Sequence, residues 1–395
     1  VRTFLAAVRR HVLLVVGVAV VAAAVGGLLV AESVEDSSRP PPNAVSTADR
    51  GPKPKPRPVH LTVSASGDLL IHTLVWERAA ALAGGTGYDF APLFAELRPY
   101  VRDADLALCH VETPMTPAPP ASYPVFNTPP ALAEGVAASG WDACDTASNH
   151  SLDRGQEGVD ATGAALDRAG VRHTGSFPSA KAQRRPLILT VQGVRIALLA
   201  YTTDTNGIPA PYPWSVNVAS VNRILADAAS ARRAGADAVI VNLHWGGGIV
   251  PEYQTEPSSG QLSLVKRLTA SRDITAVVGQ GPHVIQPIER INDKFAVFSE
   301  GNLVSNQGAE AGLPQNTEDG YVALLHLIVH AHGSRVIAVR YVPTWVEHPE
   351  YTVLPIGGAL RRGEGDAATL RASYERTVSV VGRGKRIRPV PETLP

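Results

Sequence analysis

The chain has 395 residues with 36 Lys+Arg against 36 Asp+Glu, so its formal net charge is zero and no basic excess marks a nucleic-acid partner. Apolar residues make up 45%, ordinary for a globular protein. Two cysteines, Cys109 and Cys144, exclude a disulfide-rich scaffold and leave room for a single bridge if they meet.

Arg2, Arg9 and Arg10 precede residues 12–31, a run of 20 residues without a charge. That is about the length needed to span a hydrocarbon core. Residues 1–31 are therefore expected to form a membrane anchor, with a cleaved export signal as the alternative. The basic flank puts the N-terminus inside and the rest of the chain outside. A single-pass protein with an extracytoplasmic domain is expected, or a secreted form after cleavage. Residues 32–58 hold seven prolines and almost no apolar bulk, which suits a solvated tether.

The folded part is expected over 59–345, followed by an extension over 346–395 with one helix. Alternation and β-branching predict a strand over 59–66, ending in Gly67-Asp68. Helices follow over 73–82 and 91–100. Residues 105–112 form a strand with a polar tip, where His110 and Glu112 share one face. The stretch 113–130 carries seven prolines and is a surface loop. After a helix over 131–139, a strand over 141–147 runs into Asp145-Thr-Ala-Ser-Asn-His-Ser-Leu-Asp-Arg-Gly155. Taken alone, this loop also suits an Asx turn capping the helix over 155–169.

Residues 187–191 and 194–200 flank Gln192-Gly193 as a hairpin, so the sheet is not purely parallel. A long loop over 201–217, a helix over 219–234 and an apolar strand over 237–242 lead to His244-Trp245-Gly246. A helix over 258–270 and a strand over 274–278 lead to Gly281-Pro282-His283. Hairpins are expected over 283–291/294–299 and 321–330/335–342, then a helix over 367–381. Alternating strands and helices followed by hairpins predict a layered α/β fold with mixed sheets.

Polar residues recur where the strands end: Asp68, His110 and Glu112, Asn149 and His150, His244, His283. In open α/β sheets such tips lie along one edge and can converge. The donors are oxygen and nitrogen with no thiolate required, which suits one or two Mn, Fe or Zn ions. His72, near the first tip, is a further candidate, as is His110. No glycine-rich phosphate loop and no nucleophile elbow is present.

These motifs, taken in order, resemble one family. Gly67-Asp68, Val111-Glu112-Thr-Pro114, Ser148-Asn149-His150-Ser-Leu-Asp153-Arg-Gly155, His244-Trp245-Gly246, Pro282-His283 through Glu289, and Ser299-Glu-Gly301-Asn302 are similar to the bacterial CapA family. That family is linked to poly-γ-glutamate capsule synthesis and is similar to calcineurin-like metallophosphoesterases. The resemblance covers about residues 60–345 and implies a four-layer α/β/β/α sandwich with a metal site at the strand ends. It implies metal ligation by Asp68, Asn149, His244 and His283, with His150 facing substrate; a hydrolase would add Glu112 to the metal ligands. Three departures stand out. His110-Val111-Glu112 replaces a usual Asn-Leu-Glu, Gly281 stands where a histidine is usual, and Leu70 stands where the phosphoesterase Asp-x-His motif has its imidazole. A one-metal site, or compensation by His110, follows from the second.

Two functions are open at this point. One is a metal-dependent hydrolase of a cell-envelope polymer or phosphoester, with His150 and Asp153 catalytic and Arg154, Trp245 and Asn302 as substrate contacts. The other is a non-catalytic component that binds an anionic envelope polymer beside membrane synthase or export proteins.

Overall fold

The computed structural model describes residues 58–246, 248–331 and 333–395. The expected membrane segment and the linker up to residue 57 lie outside the described residues. Among the described residues no helix is long and apolar enough to cross a membrane.

The strands in chain order are β1 (Val59–Ser66), β2 (Asp68–Leu69), β3 (Leu106–Val111), β4 (Ala143–Asp145), β5 (Arg172–Thr174), β6 (Leu187–Val191), β7 (Val194–Thr202) and β8 (Ala238–His244). They continue with β9 (Ala276–Gln280), β10 (Ile288–Ile291), β11 (Lys294–Val297), β12 (Asn302–Val304), β13 (Asp319–His330), β14 (Gly333–Glu347), β15 (Thr352–Pro355) and β16 (Ile387–Pro389). Two mixed sheets result. A ten-stranded sheet runs β12-β2-β3-β1-β13-β14-β15, with β4 and β5 continuing from β3 and β16 beside β14. A six-stranded sheet runs β10-β11-β9-β8-β7-β6.

Period-two alternation decides what each strand face meets. In β3, Leu106 and Leu108 enter one apolar cluster with Leu61 and Val63 of β1, Ile196 and Leu198 of β7, Ile240 of β8 and Val278 of β9. That cluster is the seam between the sheets. The intervening residues, Ala107, Cys109 and Val111, pack instead with Phe94, Leu132, Leu166 and other residues of the helical side. Val239, Val241 and Leu243 of β8 turn toward Ile224, Ala228, Val265 and Leu268. Those four lie on the helices Val221–Arg233 and Ser259–Thr269. The layers run helices, sheet, sheet, helices.

Local chemistry explains the element ends. The helix Ser259–Thr269 starts with a full capping box between Ser258 and Gln261. The helices Ala131–Ser139 and Gly155–Ala169 stop at Gly140 and Gly170, both left-handed. Cys109 and Cys144 lie opposite each other on neighbouring strands and form a disulfide.

Several expectations are corrected. The strand expected over 283–291 forms only at Ile288–Ile291: His283 takes a left-handed φ of 59°, Ile285 makes only an isolated bridge to Glu300, and Pro287 has no amide to donate. The helix expected over 91–100 is a 3-10 segment, Ala91–Leu97, followed by a short helix, Arg98–Arg102. The segment 346–395, expected to carry one helix, folds into two helices, Ile356–Arg362 and Ala367–Val381, and the strands β15 and β16.

This C-terminal segment is tied into the sheets. Asp319, at the start of β13, is fully buried and takes both arms of Arg376 at 2.8 Å and the Ser373 hydroxyl at 2.6 Å. Burial pushes the Asp319 carboxyl up, and the hydrogen bonds and charge of Arg376 oppose that push. Removing the guanidinium leaves a buried carboxylate with one hydroxyl for company. Arg376→Ala is expected to lower unfolding free energy by roughly 2–4 kcal/mol, read from urea denaturation, whereas a tail that merely rests on the fold would give a change below about 0.5 kcal/mol.

Candidate metal centre

The apolar seam between the sheets turns polar at one end. On β3 the alternation Leu106, Leu108 continues to His110, on β4 Ala143 continues to Asp145, and on β8 Ala238 and Ile240 continue to Asn242 and His244. Ala276 and Val278 of β9 likewise continue to Gln280. The side chains that would otherwise extend the core thus become donors facing one another. Asp68, His110, Glu112, Asp145, His244 and His283 are all buried.

Asp68 is placed by an unusually close approach of two chain segments. Its amide donates to Gly301 O at 3.0 Å, and a Cβ on Gly67 would run into that same carbonyl. Asp68 Oδ2 accepts from Gly281 N at 3.3 Å. Around Asp68 lie two donor sets, Asp68–His110–His244 and Asp68–Glu112–His283, each with ligand-capable atoms within 4.8 Å of one another. In the first, His110 Nε2 is 2.9 Å from His244 Nδ1 and 3.6 Å from Asp68 Oδ1. In the second, His283 Nε2 is 3.9 Å from Glu112 Oε1, and His283 Nδ1 is 3.5 Å from Asp68 Oδ2. Donors about 2.1 Å from one tetrahedral ion stand about 3.4 Å apart.

The residues present fit a divalent ion on a second observation. Asp68 Oδ1, both carboxylate oxygens of Glu112, His244 Nε2 and Asn149 Oδ1 are buried without a hydrogen-bond partner. Buried polar atoms are nearly always satisfied, and the four orphans on Asp68, Glu112 and His244 lie in the donor sets, where a cation would satisfy them. The supports are also of the kind that orient metal ligands. Asp145 Oδ1 accepts from His110 Nδ1 at 2.7 Å, leaving Nε2 toward the gap, and the Asn242 side-chain amide donates to Asp145 Oδ2. His283 Nδ1 lies 3.2 Å from Asn302 Oδ1, an acceptor, so its Nε2 is the atom left for Glu112 and an ion.

A cleft of about 300 Å³ opens over this centre, with His72, Phe126, His150, Tyr253 and His283 among its walls. His150 Nδ1 is 2.8 Å from Asp153 Oδ2, and that oxygen also accepts from Phe126 N at 2.7 Å. A carboxylate can only accept, so the imidazole carries its proton on Nδ1 when neutral and offers Nε2 to the cleft. Phe126 stands edge-on to His150 at 4.6 Å and to His72 at 5.2 Å. The Asn306 amide donates to His72 Nδ1 at 3.2 Å, and burial, then the charge of His283, lowers the His72 pKa to about 4. His72 is a neutral wall of the cleft and belongs to neither donor set. Asn149 is half-buried and its amide donates to Asn206 Oδ1 at 3.3 Å.

Three residues expected to contact substrate are held elsewhere. Trp245 is 1% exposed, donates to Phe298 O at 2.7 Å and packs on the helical side of the second sheet. Arg154 is bound to the carbonyls of Phe126 and Val125 at 3.0 and 3.2 Å, so it braces the proline-rich loop. Asn302 is fully buried and orients His283. Reasoning from sequence overlooked Asp145, Asn242, Gln280 and Glu300. The first three sit two residues from a seam-facing position, and that period is the signal that could have found them. Glu300 is buried, accepts from Gln280 Nε2 at 2.9 Å and is pushed up by burial to about 8.

Gly281 explains the missing imidazole. Its φ is +109°, and a Cβ there would strike the Trp245 backbone, so no histidine fits this backbone. His110 stands in a donor set instead.

Charge in the gap favours protons when no metal competes. Burial opposes the His110 imidazolium, but Asp145 and then Asp68 outweigh it and lift its pKa to about 9. Burial likewise opposes charged His283, but Glu112 and Asp68 lift it to about 9. Burial, then the charge of Asp68, raises Glu112 to about 7. Burial and the charges of His110 and His283 hold His244 well below its ordinary value. Above the ordinary imidazole value of 6.5, where His72 and His244 are neutral in both states, the folded chain thus binds more protons than the unfolded one, and metal-free stability falls as pH rises from there toward about 9. Metal ligation needs the deprotonated groups, so its stabilisation grows over the same interval. Melting curves from pH 6.5 to 9 in EDTA and in MnCl2 are expected to diverge, the first falling and the difference widening; coincident curves would remove the metal centre.

A family model described as bacterial capsule synthesis protein PGA_cap matches residues 62–307. Similar proteins include the capsule biosynthesis protein CapA of Bacillus anthracis, 27% identical over 260 residues, which are 63% of this chain and 60% of that protein. The PGA biosynthesis protein CapA of Bacillus subtilis (strain 168) is 28% identical over 215 residues, 54% of this chain and 52% of that one. A probable polyglutamine synthesis accessory protein of Mycobacterium tuberculosis is 27% identical over 246 residues, 59% and 61%. The chain therefore spans between half and two thirds of the length of these relatives. Solved structures with weaker likeness include a phosphatase from Mycoplasma pneumoniae (TM-score 0.47, 12% identity, covering 79% of this chain and 99% of that one). Another is the calcineurin-like phosphoesterase YfkN from Bacillus subtilis (TM-score 0.43, 13% identity, 82% and 99%). Scores at that level carry no chemistry across. The family match spans well over half of the chain, and with it the chain belongs to the PGA_cap family of bacterial capsule synthesis proteins.

Proposed function

We propose that this chain is a metal-dependent hydrolase that acts on a phosphoester or amide bond of a cell-envelope polymer. The observation that carries the reading is the pair of donor sets sharing Asp68, with unpartnered Asp68, Glu112 and His244 atoms, beneath a cleft walled by a carboxylate-held histidine. Mn, Fe or Zn, as one or two ions, suits such mixed oxygen and imidazole donors. Asp68, Glu112, His110, His244 and His283 would hold it, with Asn149 adding its unpartnered amide oxygen. When bound, such an ion supplies a Lewis acid and makes water a nucleophile near neutral pH.

The chain's own residues then divide the remaining work. The phosphoryl or carbonyl centre enters the cleft above Glu112 and His283. Water forms the new bond to phosphorus or to the carbonyl carbon, and the bond to the leaving oxygen or nitrogen breaks. His150 is held by Asp153 with Nε2 toward the cleft, and in its protonated form it hands that proton to the leaving atom. Phe126 keeps the imidazole edge dry on one side. An extracytoplasmic, membrane-tethered setting and work beside membrane synthase or export proteins belong to this proposal, as does an anionic envelope polymer as the substrate's larger part.

His150→Ala is expected to lower kcat by about 10²–10⁴ while bound Mn, counted by atomic absorption, stays the same. Asp68→Asn is expected to lose the metal and the activity together. Full turnover in His150→Ala, or no turnover of any phosphoester or γ-glutamyl amide by the Mn-loaded chain, would sink the hydrolase reading.

A further inference from the structure

The cleft over the metal centre is lined, among the described residues, by aromatic, aliphatic, amide and imidazole side chains and by one carboxylate, Glu252; no lysine or arginine takes part. The nearest arginine of the loop wall, Arg154, is spent on the Phe126 and Val125 carbonyls. A substrate with carboxylates flanking the scissile bond would need fixed cations in the wall besides the ion and imidazoles of the centre, since a charge removed from water needs a partner. The wall supplies none, and the one further charge at its rim is the exposed carboxylate of Glu252.

The segment carrying Glu252 is also built. Tyr253 is held in the left-handed region, φ 64°, unusual for a bulky residue, and the conformation is kept by its amide donating to Pro282 O at 2.8 Å. Gln286 Nε2 donates to Gln254 O at 2.9 Å and pins the next residue. The result sets the Tyr253 ring 6.4 Å from His283 and puts Glu252 at the cleft wall. Glu252 lies close enough to Tyr253 for its charge, after burial, to help raise the phenol to about 12. Tyr123, 77% exposed, and Phe126 line the same cleft. Aromatic faces around a carboxylate are the chemistry that holds an ammonium group.

We infer that Glu252, with Tyr253 and Tyr123, selects a substrate whose group flanking the scissile bond carries an ammonium, and rejects one with a carboxylate there. This rests on the hydrolase reading and sharpens it. The polyanionic part of an envelope polymer lies on the other side of the scissile bond or outside the cleft, and the pocket takes the amine-bearing side. Glu252 acts by positioning and selection, leaving the bond-breaking groups to the centre below.

The test uses the full chain loaded with Mn and three p-nitrophenyl phosphodiesters that differ only in the second arm: choline, n-propyl and 3-carboxypropyl. The choline ester is expected to exceed the carboxypropyl ester in kcat/KM by roughly tenfold or more, with the propyl ester between them. The choline-to-carboxypropyl ratio is expected to fall toward one in Glu252→Gln and to reverse in Glu252→Lys, with melting temperature and Mn content checking that each variant is folded and loaded. Equal handling of the three esters by the unmodified chain, preference for the carboxypropyl ester, or an unchanged ratio in both variants overturns the inference. If no ester is cleaved, the hydrolase reading fails by itself. The same three esters then serve as ligands in calorimetry, where the choline ester must bind more tightly and Glu252→Lys must reverse the order; any other order overturns the selection as well.

Discussion

Negative charge buried between two sheets is the constraint on which this molecule turns. Asp68, Glu112, Asp145 and Glu300 are each no more than 2% exposed and lie in one polar gap. Carboxylates taken out of water must be paired, protonated or bound to a cation. The fold uses each device. Asp145 is paired with His110 and Asn242, Glu300 leans on Gln280 and is pushed toward its protonated form, and Asp68 with Glu112 keeps oxygens that have no partner in the protein. Glu300 also keeps one unpartnered oxygen, but only Asp68 and Glu112 stand in donor sets that could hold a metal.

The arrangement follows from the same alternation that builds the core. A strand residue faces the seam at every second position, and the seam is filled by Leu, Ile, Val and Ala until the last one or two such positions of β3, β4, β8 and β9. There the residue type changes from apolar to ionisable without a change of direction. The site needs no special loops for most of its donors. It needs close backbone approaches, supplied by Gly67 against Gly301 and by Gly281 against Trp245.

Much of this was legible in the sequence. Strand tips with Asp68, His110, Glu112, His244 and His283 followed from alternation and from turn residues, as did the layered α/β class with hairpins in its second half. What escaped did so for physical reasons. Asn242 sits inside a short apolar run and Asp145 opens the polar loop that follows one, and in both places only tertiary packing says which face the side chain shares. The left-handed backbone at His283 interrupts a segment whose composition favours a strand. Trp245 lies next to His244 in sequence, but neighbouring strand residues point to opposite faces, so one meets the gap and the other the helices. The helix Ile356–Arg362 begins with Ile-Gly-Gly, which no propensity argument would choose; it forms against Trp345, Leu370 and Tyr374.

The order of strands in the larger sheet has a consequence for how the chain matures. β1, near the start of the described chain, pairs along its whole length with β13, whose first residue is 319, and only two residue pairs join it to β3 on its other side. Every candidate donor has been synthesised by residue 283, yet the sheet that aims Asp68, His110 and Glu112 stays open at its middle until residues from 319 on arrive. Such long-range closure is slow compared with local hairpins and helices. The candidate donors are complete at residue 283, and the sheet that aims three of them closes only when residues 319–330 pair with β1. Assembly of the centre is coupled to closure of the larger sheet.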